Sequence, residues 1–235
     1  METAAFEYFE RAPLIHVDMS EAIKRGRAKV LYAGSDGVLL HNEKKGNYLL
    51  SSVSYRAAAK LCELIEGDCV VVRGEGAKEA VQSELGFELG KPCFQCAYLK
   101  TERLAVEREE DIRPLRREHI EEVLKHYRLV GEPAYIEGRI DAGEMFGLFD
   151  RATGGLMGFA GLHDDGSGGM LEIFPEYRRR GLGLQLERYL VNFQLDKGYV
   201  PYGHIYVDNE QSLNLQRKLG MEISAETLNW AFIGR

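Results

Sequence analysis

The sequence has no stretch approaching the roughly 18 consecutive apolar residues that a membrane span requires. Its opening residues, METAAFE, lack the basic start and apolar middle of a secretory signal, so a cytoplasmic location is expected and secretion is not. A surplus of positive charge is missing as well. Thirty Lys and Arg against 37 Asp and Glu leave a net charge of -7, which argues against broad electrostatic binding to nucleic acid or to a membrane surface. Cysteine is scarce: Cys62, Cys69, Cys93 and Cys96 all lie in the first half, and reduced thiols are expected. Cys93 and Cys96 form a lone CxxC. A zinc site would want a second close pair, and Cys62 and Cys69 are too widely spaced to supply it, so no metal is expected.

What is present is a globular composition, 45% hydrophobic and 29% charged over 235 residues, enough for one large domain or two small ones. The 26 glycines are dispersed among apolar runs and read as turns and close backbone approaches. The most polar stretch, residues 100–117, alternates charges around few large apolar side chains and marks a boundary near residue 105. Beyond it, spacing predicts a strand over 111–115 and helices over 118–127 and 134–140. A hairpin of strands over 144–150 and 155–163 follows, then a third strand over 170–174. A helix over 183–197, a strand over 204–207, a helix over 210–219 stopped by Gly220, and a last strand over 230–233 complete the chain. The mixed order predicts an α/β (α+β) architecture of sheet and helices.

The chain also repeats itself. Residues 85–99, LGFELGKPCFQCAYL, align without a gap to residues 219–233, LGMEISAETLNWAFI, with identities at Leu85/Leu219, Gly86/Gly220, Glu88/Glu222 and Ala97/Ala231. Each copy follows a strand and a short helix. Two copies of one strand-helix-strand unit are expected, the second better equipped.

The sharpest local feature is IFPEYRRRGLG, residues 173–183: an apolar strand, a turn with proline, three arginines, then two glycines opening a helix. A helix start leaves unpaired N–H groups and partial positive charge, and glycine lets a phosphate approach the backbone. No GxxxxGK[ST] occurs, and Gly181 and Gly183 lack the third glycine of a dinucleotide fingerprint. The physical reading is a phosphate-bearing ligand at this helix start.

RRRGLG also fits the Arg/Gln-x-x-Gly-x-Gly/Ala acyl-CoA motif, and residues 108–235 resemble the GCN5-related N-acetyltransferase superfamily. The run VDNEQSLNLQRKLG, residues 207–220, is similar to that superfamily's closing Asn-x-x-Ala/Ser-x-x-Leu-Tyr-x-Lys-x-Gly-Phe block. PYGHIYVDNEQS is most similar to the glycine N-acyltransferase-like, FR47-like branch, whose members pair a degenerate first half with an active second half. The resemblance implies a GNAT-like mixed central sheet flanked by helices in a catalytic domain over 106–235, after a degenerate GNAT-like domain over 1–105.

It also implies roles. Acetyl-CoA would be the cosubstrate, its pantetheine arm bonded by the backbone of Ile173 and Phe174. The pyrophosphate would lie among Arg178, Arg179, Arg180, Gly181, Leu182, Gly183 and Leu184, and Asn209 and Ser212 would meet its far side. The thioester would lie between strands 170–174 and 204–207. Where the first half should carry an arginine-glycine loop it has SSVSYRAAA, residues 51–59, and is expected to pack or to wall the acceptor pocket.

Amine attack on a thioester needs a neutral amine, a polarised carbonyl and a proton for the leaving thiolate. Glu172 is the first candidate base and His163 the second. Gln216 stands where many members place a proton-donating tyrosine; it could only hydrogen-bond the sulfur, leaving Tyr206 or water to protonate it, or the thiolate to leave unassisted. The expected activity is transfer of an acetyl or short acyl group to a primary amine, taken to be a small molecule, in a ternary complex. The alternatives are a non-catalytic acyl-CoA-binding or regulatory protein, or N-terminal acylation of a protein or peptide. No nucleic-acid or membrane partner is expected, and a homodimer is left open.

Overall fold

The computed structural model describes residues 1–43, 45–127 and 133–234. The first half runs α1 (Glu2–Phe9), α2 (Val17–Lys24), β1 (Lys29–Gly34), β2 (Gly37–Asn42), β3 (Asn47–Ser52), α3 (Tyr55–Cys62), β4 (Cys69–Arg73), α4 (Glu75–Leu85) and β5 (Phe87–Ala97). The second runs β6 (Ile112–Pro114), α5 (Ile120–His126), α6 (Pro133–Asp141), β7 (Met145–Phe149), β8 (Leu156–Leu162), β9 (Gly168–Ile173), α7 (Leu182–Leu195), β10 (Tyr202–Tyr206), α8 (Glu210–Leu219) and β11 (Glu222–Ile233).

Two compact units form. One comprises Met1–Ala97, His204–Asn214 and Glu222–Arg235, the other Tyr98–Gly203 and Leu215–Met221. The first unit holds a seven-stranded sheet in the order β1-β2-β3-β4-β11-β5-β10. Its central strands are apolar at successive positions because both faces are covered, as period-two alternation then requires. Leu39, Leu50, Val70 and Val72 meet Ala58, Leu61, Ala77 and Val81 of α3 and α4. The other parity, Val38, Leu40, Leu49 and Val71, meets Ala5, Phe9, Met19 and Ile23 of α1 and α2.

The second unit holds an antiparallel sheet in the order β6-β7-β8-β9. Met145, Phe149 and Phe159 pack with Val123, Ile136 and Ile140 of α5 and α6. Phe146, Leu148 and Met157 pack with Leu182, Leu186 and Leu190 of α7, the helix whose apolar spacing is legible in the sequence.

The clean division near residue 105 does not hold, because the last strand leaves its own half. β11 pairs antiparallel with β4 on one side and with β5 on the other. β5 in turn neighbours β10. Backbone bonds Tyr98 N–H to Pro201 O and Val207 N–H to Pro92 O run that pair antiparallel. The two repeated segments are therefore β5 and β11, each seated beside the strand that precedes the other copy, running against one another from Glu222↔Ala97 to Ile233↔Phe87. Bonding on both edges also explains why β11 extends over twelve residues, far beyond the expected 230–233.

Candidate functional site

The halves differ where the notable loop sits. In the first half, β3 and β4 pair in parallel through Tyr48↔Val70 to Ser51↔Arg73, and Ser54 caps the connecting α3 by accepting the Ala57 N–H at 3.3 Å. In the second half, β9 ends the four-stranded sheet, β10 ends the seven-stranded one, and no side chain caps α7.

The start of α7 is shaped by two left-handed residues, Arg179 at φ 60° and Gly181 at φ 75°. Among the described residues, the N–H groups of residues 179–183 make no hydrogen bond to protein, whereas Leu184 N–H already reaches Gly181 O at 3.1 Å. Left-handed residues interleaved with right-handed ones turn successive N–H groups into one concavity, an anion nest. A Cβ at Gly181 would meet nothing within 4 Å, so the loop is open. Leu182 anchors it in the core. This donor set fits a pyrophosphate, with the correction that Leu184 has no N–H left to give.

The three arginines divide the work. Arg178 donates from Nε to Ile173 O and from Nη2 to Glu172 Oε1, both at 2.8 Å. Arg180 bonds Glu176 O at 3.1 Å and lies over the Tyr177 ring at 5.5 Å. Arg179 is exposed and has no partner among the described residues.

β9 enters this loop through a bulge. Between Phe159↔Glu172 and Gly161↔Gly169 the ladder takes one extra residue on β9, and Met170 sits there at φ 51°. Phe174 N–H is bonded to Met157 O at 3.0 Å, so of the two residues expected to bind a pantetheine arm, Phe174 has its N–H spent within the sheet. Its ring is buried and stacks on His126 at 3.8 Å.

Among the candidate bases, Glu172 is ion-paired to Arg178. His163 accepts or donates at Nδ1 with Tyr135 Oη at 2.8 Å, and a Cβ on Gly169 would come within 2.7 Å of its Nε2. Burial, then Asp164, pushes the Tyr135 phenol well above its usual range, so the phenol keeps its proton in that bond.

Gln216 does not present its amide to an open site. Its side chain is buried and donates to Glu187 of α7, and its Oε1 has no partner. Burial pushes the Glu187 carboxyl up to about 7, partly offset by the Gln216 bond. Nothing in the local spacing announced this pair, since Glu187 lies on an otherwise ordinary amphipathic helix.

The other expected contacts lie in the first unit. Asn209 Oδ1 accepts the Ser212 N–H at 3.0 Å and Asn209 O accepts the Leu213 N–H at 3.0 Å, so the Asn-x-x-Ser pair first of all caps α8. Tyr206 is half exposed, with Lys91 Nζ 5.9 Å from its ring centroid. Among the described residues, no group of three or more His, Cys, Asp or Glu side chains is placed to hold a metal, and no helix is long and apolar enough to cross a membrane. The CxxC lies on β5, where burial pushes the Cys93 thiol up to about 11.

Residues 145–231 match the FR47-like protein family. No curated protein matches the sequence. Among solved structures, a Drosophila protein is 16% identical at a TM-score of 0.71, over 98% of this chain and 95% of that one. A putative acetyltransferase of the GNAT family from Novosphingobium aromaticivorans is 19% identical at 0.59, over 95% and 99%. A GNAT-family acetyltransferase from Colwellia psychrerythraea is 15% identical at 0.56, over 99% and 97%.

Proposed function

The chain has the GCN5-related N-acetyltransferase fold, and from that premise we propose that it transfers an acetyl or short acyl group from acyl-CoA to the primary amine of a small molecule in the cytoplasm. The observation that carries this reading is the uncapped start of α7, with five consecutive N–H groups unpartnered and Arg179 beside them. Water meets the exposed N–H groups of such a helix start, and an anion meets them with the added gain of complementary charge. Arg178 holds the strand end in place, and the bulge at Met170 sets the course of β9 toward the loop.

Acyl-CoA supplies an activated thioester carbonyl when bound. The chain's contribution begins with position: holding two reactants in line outweighs any single proton transfer. Glu172 and His163 remain the candidate bases of the second unit, and Glu172 would act after its Arg178 pair opens. Tyr206 or water would supply the proton to sulfur, since Gln216 is turned toward Glu187.

That turned glutamine favours one rival, a non-catalytic acyl-CoA-binding protein. Mass spectrometry after incubation with acetyl-CoA and an amine panel, alongside calorimetry with CoA, separates the readings. Acylated product is expected; bound CoA with no product across the panel supports the rival, and no CoA binding sinks both.

A further inference from the structure

α7 carries a buried carboxyl that neither the anion loop nor the sheet requires. Glu187 is 5% exposed and lies in the second turn, about 9 Å along the helix axis from Gly181 and the open N–H groups. It sits on the stripe of α7 that meets α8, between Leu184 and Val191, which pack with Tyr98 and Leu219. Its hydrogen-bond partner there is the Gln216 amide, whose Oε1 has none. Arg179, Glu187 and Gln216 all belong to the second unit.

The surroundings of Glu187 bring it no compensating charge. Burial and the Gln216 bond are the influences on it among the described residues. On the other side of α7, β7 and β8 present Phe146, Leu148 and Met157. On α7 itself, Arg188 donates to Ala105 O at 3.2 Å and Asp196 pairs with Arg103. On α8, Arg217 and Lys218 are exposed, and Tyr98 Oη donates to Glu102 O at 3.0 Å.

The pair is complete only with a proton. A carboxylate can only accept, so ionised Glu187 takes the amide N–H and leaves Gln216 Oε1 bare, whereas a carboxylic acid both accepts from the amide and donates to it. Burial pushes the Glu187 carboxyl up to about 7, so near neutral pH acid and carboxylate are both populated and a modest change in potential decides between them. An anion at the helix start is such a change. It cancels the partial positive charge of the dipole and adds negative charge of its own, and both effects oppose a carboxylate in the second turn.

We infer that acyl-CoA binding at the start of α7 is proton-linked: Glu187 takes up a proton as the pyrophosphate docks, so the site holds its cofactor more tightly at low pH. The inference rests on the proposed pyrophosphate site and adds its regulation. Two charges about 10 Å away favour the acid by about tenfold or more even at an effective dielectric of about 40. The sign follows from linkage: a proton gained on binding makes affinity fall as pH rises through 7 to 8. Glu187→Gln holds the neutral form at every pH and loses that dependence.

Calorimetry of the full chain with CoA, near pH 7.5 in HEPES and in Tris, reads the proton uptake from the difference in heat. The native protein is expected to take up about half a proton more than Glu187→Gln. Near pH 6 the two should bind CoA alike, and near pH 8.5 the variant should bind at least about fivefold tighter. Should Glu187→Gln fail to fold, 3′-dephospho-CoA, whose pyrophosphate does not titrate in this range, reads the uptake on the native protein alone. Equal uptake in native and variant, parallel pH dependence of their affinities, or no uptake with 3′-dephospho-CoA overturns the inference. A native protein that binds no CoA overturns the parent reading instead.

Discussion

Ser54 Oγ accepts the Ala57 N–H at 3.3 Å and closes the start of α3, whereas the corresponding start of α7 offers Gly181 and no side chain at all. The same strand-to-helix junction is thus capped by a side chain in one half and left uncapped in the other. Anion binding is expected at α7 and not at α3.

Arg179 should carry much of that affinity. It is exposed and unpartnered among the described residues, so Arg179→Ala removes a charge-assisted contact worth about 1.5–3 kcal/mol without disturbing the fold. Calorimetry with CoA should show a loss of roughly 10- to 100-fold, with an unchanged melting temperature.

The two glycines of the loop should respond differently. Gly181 holds φ 75°, so Gly181→Ala costs about 1–2 kcal/mol in backbone strain. A Cβ at Gly183 would only touch Leu171 and Ile173 side chains at 3.6 and 3.7 Å, ordinary contact distances. Gly183→Ala should therefore melt no lower than the native chain, and thermal denaturation of the pair checks both.

Glu187 and His16 should give the two units opposite pH dependence. Burial raises Glu187 from 4.5 to about 7, so the folded state binds the extra proton between those values and stability falls as pH rises through them. Glu187→Gln should be more stable than the native chain near pH 8, by up to roughly 3 kcal/mol, and equal to it near pH 4. His16 is lowered from 6.5 to about 4 by burial and then by Arg73, so there the unfolded state binds the extra proton and stability is lost as pH falls from 6.5 toward 4. Urea titrations across pH test both slopes.

The strand exchange makes the second half dependent on the first. A fragment covering residues 106–235 would leave both edges of β11 unpaired, because its partners are β4 and β5. It should aggregate or remain partly unfolded by size-exclusion chromatography and circular dichroism, and co-expression with residues 1–105 should rescue it.

Much of the second half was legible because local signals agreed. α8 spans the expected 210–219, cut by the Asn209 cap and by Gly220 at φ 86°. The β7-β8 hairpin and the amphipathic α7 also fall where apolar spacing puts them. The repeat was legible as sequence, yet its exchange of strands was not, since pairing partners are fixed by tertiary contacts and both copies carry the same alternation. The arginine-glycine loop announced its chemistry through residue type alone. The buried ion pair of Asp18 and Arg73 was not legible at all, its members lying 55 residues apart along the chain.

The most direct test is a crystal structure of the protein with CoA. The pyrophosphate is predicted to accept hydrogen bonds from the N–H groups of residues 179–183 with the Arg179 guanidinium against it. A pyrophosphate bound away from the start of α7, or no binding at millimolar CoA, would contradict the account.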